Sequence, residues 1–380
     1  MPSPLRRSLA HSFSRAVTNH LCSSFPAKHN SRSPFDQTWG VERPRWHAPI
    51  VRLHFVQRLP NEIVSRIFVL GAEDDDMLPI VVSHVCSTWR AIALHTPSLW
   101  RRISLGPQER MWRERIYRAK ACSFDVQLLS SRTTRSGKIE PQALDAHTVQ
   151  WYMHLVSPFM HRWRSLEVVL TNYEPLLANA ALSGCCLRKR GQAPLLEDLT
   201  LVYRANDDTK EFCLFSGYTP RLRRLTLDGL RLTWLPSLFR NLTFLDYTHH
   251  GFSCGDEAVC ELLAMLAVST ALRELRILFP HTSLVRSPRA DLRRVTLPRL
   301  TSMYLRVETR DIPAELTRFV TCVSTPSLTS LYLIDIGRRR HLFPSLVHFM
   351  RMYPMVPSLR TLYLEYGWQG SRFVPRRRVG

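Results

Sequence analysis

From about residue 160 onward one spacing of apolar residues recurs: an apolar position, two others, a second apolar position, one other, and a third. It reads Trp163/Leu166/Val168, Leu196/Leu199/Leu201, Leu222/Leu225/Leu227 and Leu242/Leu245/Tyr247, then Leu272/Leu275/Ile277, Leu300/Met303/Leu305, Leu328/Leu331/Leu333 and Leu359/Leu362/Leu364. The central residues follow one another at steps of 33, 26, 20, 30, 28, 28 and 31 residues. Pro194, Pro220, Pro298, Pro326 and Pro357 each stand two residues ahead of the first apolar position. Internal repetition at roughly twenty to fifty residues marks stacked supersecondary units. The last two apolar residues, two apart, lie on one side of a short strand. Successive strands are therefore expected to pair in parallel. Helical or irregular segments such as Pro313 to Val323 and Pro344 to Met352, which carry helical spacing, would return the chain. Burying each Leu is worth about 1.5–3 kcal/mol, which no unit gains without its neighbours. The unequal steps predict an imperfect arc, an α/β solenoid with its parallel sheet on the concave face.

In each strand the residue between the two closing apolar positions must point away from that core. The column reads Glu167, Thr200, Thr226, Asp246, Arg276, Tyr304, Tyr332 and Tyr363. The last three present Tyr, and strands about 4.7–4.9 Å apart would bring the rings into a ladder. Two readings stand: Tyr merely suits strands, or the column is a binding surface of aromatic and Arg hot-spot composition. On the second reading Asp246, Arg276, Tyr304, Arg306, Tyr332 and Tyr363 hold a protein partner, flanked by Ser330 and Glu365.

Residues 59–105 carry a different period. Leu59-Pro60 precedes Asn61, a candidate cap, and Ile63, Val64, Ile67 and Phe68 share a helical face. Gly71 to Asp76 breaks that helix; Asp76 is placed to cap the next, with Pro79 in its first turn. The second helix is expected to bury Val82, Val85 and Cys86 and to continue through Trp89 and Ile92 to Leu94, before Pro97 stops it and Leu99-Trp100 closes the unit. Three helices of this length are only marginally stable alone. Residues 106–160 read as a helical linker, with basic helices at Met111 to Ala121 and Thr148 to Met160 and an exposed charged loop at Arg132 to Lys138.

Residues 1–50 are rich in Ser, Arg, His and Pro, with no acidic residue before Asp36. Leu5, Leu9, Phe13, Val17 and Leu21 recur at four-residue steps among Arg6, Arg7 and Arg15. The segment fits a basic, disordered tail or, over residues 1–30, a mitochondrial presequence. Residues 371–380 form a second basic tail. No stretch approaches the roughly 18–20 apolar residues of a membrane span; the best, Val259 to Val268, is short and carries Glu261.

The formal charge is +21, from 52 Lys and Arg against 31 Asp and Glu, and only five of the 52 are Lys. The Arg residues are spread along the chain, without the clustered patch or motif of a nucleic-acid binder. They read as a solvated background or as a preference for acidic or phosphorylated partners, whose oxygens match the Arg fork. The nine Cys include no C-x-x-C pair. Most, such as Cys86, Cys213 and Cys260, sit among apolar residues and read as buried free thiols of a reducing compartment. Glu73 to Asp76 reads as a solvated capping loop rather than a metal site. His249-His250 and His154…His161 lack zinc spacing. No nucleophile elbow, phosphate loop or metalloprotease helix is present. Neither catalysis nor a cofactor or metal is expected.

The run from Leu59-Pro60 through Glu62-Ile63, Ile67-Phe68, Val85-Cys86, Trp89-Arg90, Ile92-Ala93 and Pro97 to Leu99-Trp100 resembles the F-box, in the F-box-like form followed by repeats that abounds in mushroom-forming fungi. The resemblance covers residues 56–105 strongly and a leucine-rich-repeat-like array over 161–370 more loosely. It implies docking on the Skp-type adaptor of a cullin–RING ubiquitin ligase, with the repeats holding the substrate, in the cytoplasm or nucleus. Leu59, Pro60, Ile63, Val64 and Ile67 match adaptor-contacting positions, and Val85 and Trp89 match shared core and contact positions. The acidic Glu73–Asp76 connection is longer and more charged than in many members. The alternative is a repeat protein that binds partners outside the ubiquitin pathway.

Overall fold

The structure, a computed structural model, describes residues 55–133, 139–141, 144–186, 191–248, 250–251, 255–279, 293–308, 311–336, 343–353, 357–365 and 376–377. The basic tail or presequence expected over residues 1–50, most of the charged loop at 132–138 and most of the 371–380 tail lie outside these residues. The described residues form two compact units: 55–102 together with 118–120, and 103–117 together with those from 121 onward.

In the first unit a 3-10 turn over Phe55–Arg58 leads to α1 (Asn61–Ala72). Pro60, with φ −56° and ψ 145°, occupies the cap position, and its carbonyl accepts the N–H groups of Ile63 and Val64 at 3.0 and 3.1 Å. Asn61, expected as the cap, is instead the first helical residue. Asp75, not Asp76, organises the next start: its Oδ1 accepts the Met77 N–H at 2.8 Å just before α2 (Leu78–Ser83). Asp76 pairs with Arg102 Nε at 2.7 Å, and Arg102 also reaches the Glu73 carbonyl at 2.7 Å. The single helix expected from Pro79 to Leu94 is two. The chain turns at His84–Cys86, and α3 (Ser87–Leu94) starts where the Cys86 sulfur accepts the Trp89 N–H at 3.4 Å. Cys86 is thus an exposed cap rather than a core thiol. A 3-10 turn over Pro97–Trp100 ends the unit. Phe68 meets Trp89 edge-on at 4.9 Å, the Trp100 indole donates to the Ala93 carbonyl at 2.8 Å, and the Arg118 guanidinium lies 4.5 Å over Trp100.

The second unit is a mixed α/β body around one large sheet. In chain order it comprises β1 (Arg102–Leu105), α4 (Glu109–Arg118), β2 (Phe124–Leu129), β3 (Ser131–Thr133), β4 (Ile139–Pro141), α5 (Ala146–Val156), β5 (Trp163–Leu170) and α6 (Leu177–Leu182). It continues with β6 (Asp198–Tyr203), β7 (Glu211–Phe212), β8 (Arg224–Asp228), β9 (Arg231–Leu232), α7 (Pro236–Phe239), β10 (Phe244–Thr248), α8 (Gly255–Val268), β11 (Glu274–Phe279) and β12 (Val295–Thr296). Last come β13 (Ser302–Val307), α9 (Ala314–Cys322), β14 (Val323–Ser324), β15 (Ser330–Asp335), α10 (Leu346–Met352), β16 (Thr361–Glu365) and β17 (Arg376–Arg377). Eleven strands form the large sheet in the order β1-β2-β5-β6-β8-β10-β11-β13-β15-β16-β17. From β2 to β16 every described pairing is parallel; β17 pairs antiparallel with β16.

Register is uniform because the apolar spacing is. Leu166, Leu199, Leu225, Leu245, Leu275, Met303, Leu331 and Leu362 are Cα partners across the sheet, and all are buried. Their companions two residues on, from Val168 to Leu333, make a second buried row. The segments expected as returns are helices α9 and α10. The expected helical linker at 106–160 is a correction. Besides α4 and α5 it contributes β2, whose Phe124, Val126 and Leu128 are buried and pair with β5, so the sheet begins two strands earlier than the Leu pattern does. Arg132, expected in a loop, lies in the β3–β4 ribbon. Cys213, like Cys86, is exposed, and Cys260 is half-buried, so among the described residues a reading of buried thiols holds in full only for Cys185.

Candidate functional site

The first candidate surface is a face of α1. Of the apolar residues expected on one side, Val64 and Phe68 turn inward, at 4% and 3% exposure, while Ile63 stands out at 47%. Ile67 is half-buried, and Leu70, one turn further, is 56% exposed. Positions 63, 67 and 70 follow the three- and four-residue steps of one helical stripe, and exposed Pro60 precedes them. The apolar stripe open to a partner is therefore Pro60, Ile63, Ile67 and Leu70, with half-buried Leu59 and Val85 elsewhere in the unit. Val64 and Trp89, proposed from sequence as contact positions, belong to the core: Trp89 is 8% exposed and packs on Phe68. Leu70 was not among the expected contacts, although its phase relative to Ile63 marks it.

The second candidate surface is the sheet face opposite the buried rows. Cα pairing brings Gln127, Glu167, Thr200, Thr226, Asp246, Arg276, Tyr304, Tyr332 and Tyr363 into one line across nine strands. Tyr304 and Tyr332 stack at 4.1 Å with planes 6° apart, and Tyr332 and Tyr363 at 4.5 Å and 5°. Arg276 lies 4.8 Å over Tyr304 and 5.2 Å over Phe244, which in turn lies 4.2 Å under Arg224. Six side chains thus form one stack on this face. Burial together with the adjoining Tyr332 hydroxyl pushes the Tyr304 phenol up to about 12, so it stays a neutral donor at any physiological pH.

The charges of this face neutralise one another. Arg276 bonds Glu274 at 2.6 Å, Arg224 pairs with Asp198 at 3.2 Å, Arg204 with Asp228 at 2.7 Å and Arg164 with Asp125. Arg306 reaches back over β11 to grip Asp246, with side chains only 18% and 15% exposed. Burial raises the Asp246 carboxyl against the pull of Arg306 and Arg276. Glu167 accepts a hydrogen bond from Gln127 at 2.6 Å. Arg276 and Arg306, expected as free donors for an acidic or phosphorylated segment, are both committed to carboxylates, while Arg204 and Arg224 pair through Nε and keep side chains 67% and 57% exposed.

Among the described residues no group of three or more His, Cys, Asp and Glu is placed to hold a metal ion, and no helix is long and apolar enough to cross a membrane. His154 stacks on Trp151 at 6.0 Å; His249 lies outside the described residues. A third polar group lies away from the sheet face. Glu261 on α8 faces Arg231, which also holds Glu211 at 2.8 Å, and burial pushes the Glu261 carboxyl up to about 7.

Residues 56–106 match the F-box-like domain family, which agrees with the bounds of the first unit's helices. No curated protein matches the chain in sequence.

Proposed function

We propose that this chain, which carries an F-box-like domain at residues 56–106, is a substrate-recognition adaptor of an SCF-type (Skp–cullin–F-box) ubiquitin ligase. F-box domains generally bind Skp-type adaptors of cullin–RING ligases, and the apolar stripe Pro60, Ile63, Ile67 and Leu70 is the docking surface in this reading. The observation that carries it is that stripe: apolar side chains at 47% and 56% exposure on a helix whose opposite side already fills a core. Single exposed apolar residues need no partner, but a stripe on one helix has the form of a helix-packing face.

The sheet is an irregular leucine-rich-repeat array in this reading, and its outward face holds a protein substrate along the tyrosine stack. The chain itself performs no chemistry; it brings a protein to the ligase, in cytoplasm or nucleus. Support comes from successive strands paired in chain order and from hot-spot residue types on the open face.

The test is co-purification of the full chain with a Skp-type adaptor. Ile63→Asp combined with Leu70→Asp is expected to abolish it, because each places a charge in an apolar contact, while the far-ultraviolet circular dichroism stays that of the parent. Undiminished adaptor binding by the double variant would overturn the reading.

A further inference from the structure

Two cysteines from successive units of the second body come together where the 3-10 turns Ser183–Cys186 and Leu214–Gly217 pack on each other. Cys186 ends the first turn, just after α6, and is half-buried; its thiol donates to the Leu182 carbonyl at 3.3 Å. Cys213 immediately precedes the second turn and is exposed. Its neighbours fix it in place. Phe212, Leu214 and Phe215 are all buried, Phe212 pairs with Leu232 on β9, and Phe215 meets Trp163 edge-on at 6.5 Å. Phe215 and Ser216 hold left-handed backbone, at φ 53° and 51°, so the chain leaves Cys213 in one constrained direction.

The two thiols act on each other. Burial and then Cys213 raise the Cys186 thiol, while the Lys210 ammonium and the Cys213 N–H pull the other way. Lys210 is itself held there, donating to Asn179 Oδ1 at 2.8 Å and lying 5.6 Å from the Phe212 ring centre. A disulfide needs two Cα atoms within roughly 7 Å and side chains that face each other. A sulfur beside the N–H of residue 213 is also beside the Cα that carries the second thiol, so rotation of the exposed Cys213 side chain closes the gap. Exposed Cys213 is open to dissolved oxidants, whereas half-buried Cys186, with its thiol raised, is slower to meet them. Cys185, next in sequence, is fully buried and its thiol is raised by that burial, which leaves it inert.

We propose that Cys186 and Cys213 form a reversible dithiol that hydrogen peroxide closes to a disulfide across two neighbouring units. The Cys213 thiolate attacks one peroxide oxygen: an S–O bond forms, the O–O bond breaks, and hydroxide leaves as water with the released thiol proton. Cys186 then attacks the Cys213 sulfur. The S–S bond forms, the S–O bond breaks, and the Cys186 proton leaves with the departing hydroxide as a second water. Two thiols give up two electrons, and one peroxide is reduced to two waters. The link closes the loop of residues 187–212 and ties the two turns, so the oxidised chain unfolds at higher urea than the reduced one. None of this depends on the ligase reading.

The full chain, reduced and freed of reductant, is treated with hydrogen peroxide, blocked with an alkylating agent and digested with trypsin without reduction. Cleavage after Lys210 and Arg221 isolates Cys213 on residues 211–221, and cleavage after Arg188 ends the peptide that carries Cys185 and Cys186. These peptides are expected as one cross-linked species, from monomeric protein, that dithiothreitol splits. Cys185→Ala should keep the link, and Cys186→Ser and Cys213→Ser should lose it. In Cys186→Ser the Cys213 sulfenic acid should instead accumulate and be trapped by dimedone, which the parent shows little of. Circular dichroism melts of the reduced proteins check the fold, and Cys213→Ser, at an exposed site, keeps the comparison if Cys186→Ser does not fold. Cys186 and Cys213 both still alkylatable after peroxide, a link that survives in Cys186→Ser and is lost in Cys185→Ala, or a link found only between two chains would each overturn the proposal.

Discussion

Tyr332→Ala isolates what the aromatic stack contributes. Its ring has a stacked neighbour on each face, Tyr304 at 4.1 Å and Tyr363 at 4.5 Å. An aromatic pair contributes about 0.5–1.5 kcal/mol beyond its buried area, so removing two costs about 1–3 kcal/mol before the area lost with the ring. Tyr363 has one such neighbour and is expected to cost about half as much. Tyr304 has Tyr332 on one side and Arg276 at 4.8 Å on the other, which adds about 0.5–1 kcal/mol. The expected order is Tyr332 first, Tyr304 close behind and Tyr363 last. Urea denaturation followed by circular dichroism gives the three values, and a double-mutant cycle gives the couplings. Tyr304 and Tyr332 should couple by about 0.5–1.5 kcal/mol, and Tyr304 and Tyr363, two strands apart, by nearly nothing. If Tyr363→Ala destabilised as much as Tyr332→Ala, or if the distant pair coupled as strongly as the adjacent one, the stacking argument would fail.

The remaining predictions concern three other sites. Trp89→Ala should cost about 3–5 kcal/mol, enough to unfold a small helical unit, so adaptor binding should be lost together with the share of the helical signal that this unit contributes; a folded Trp89→Ala variant that fails to bind would return Trp89 to the contact surface. The Glu261 carboxyl sits near 7 when folded against an ordinary 4.5, so the native state keeps a proton that the unfolded chain has released between those values. Its contribution is full below about 4.5 and is lost as pH rises through about 7, on the order of 2–4 kcal/mol; Glu261→Gln should remove that slope and be the more stable form at pH ~8, and a less stable variant there would contradict the sign. Gly229 has φ +76°, and an added Cβ would lie 2.0 Å from the Tyr203 carbonyl oxygen, a backbone atom of β6. Gly229→Ala should therefore cost at least about 1–3 kcal/mol by denaturant titration, and a change within about 0.5 kcal/mol would show that the backbone gives way easily.

Much of the sheet was legible because its periodicity is set by burial. Wherever Leu or a close analogue stands at the two strand positions, the strand, its parallel pairing and its outward residue all follow. The first strands were missed for a physical reason. Ile103 with Leu105, and Phe124 with Val126 and Leu128, alternate as a half-buried strand should, but the Arg-rich helix α4 stands between them. Helix phase was the other weak point. Ile63 and Val64 are adjacent apolar residues at the margin of a buried face, and packing alone decides which turns in. The break at His84–Cys86 contains neither Gly nor Pro, so the apolar period runs through it; a cysteine sulfur makes the cap. The commitment of Arg306 to Asp246, 60 residues away, has no local signal, since it depends on a side chain crossing an intervening strand.

The zero offset between neighbouring strands bears on how such a protein can diverge. Each outward residue has buried neighbours before and after it in the chain, and its lateral neighbours lie about 20 to 40 codons away. A point change in the row alters the face without altering what fills the core, and duplication of one whole unit would lengthen the face by about 4.8 Å with register intact. Most positions are thus free to drift singly. The stacked tyrosines with Arg276, the Gln127–Glu167 hydrogen bond and ion pairs such as Asp246–Arg306 are exceptions, because they tie separate units together. There the lineage can change only by correlated substitutions, and descendants that differ in one member of such a set should differ in its partner as well.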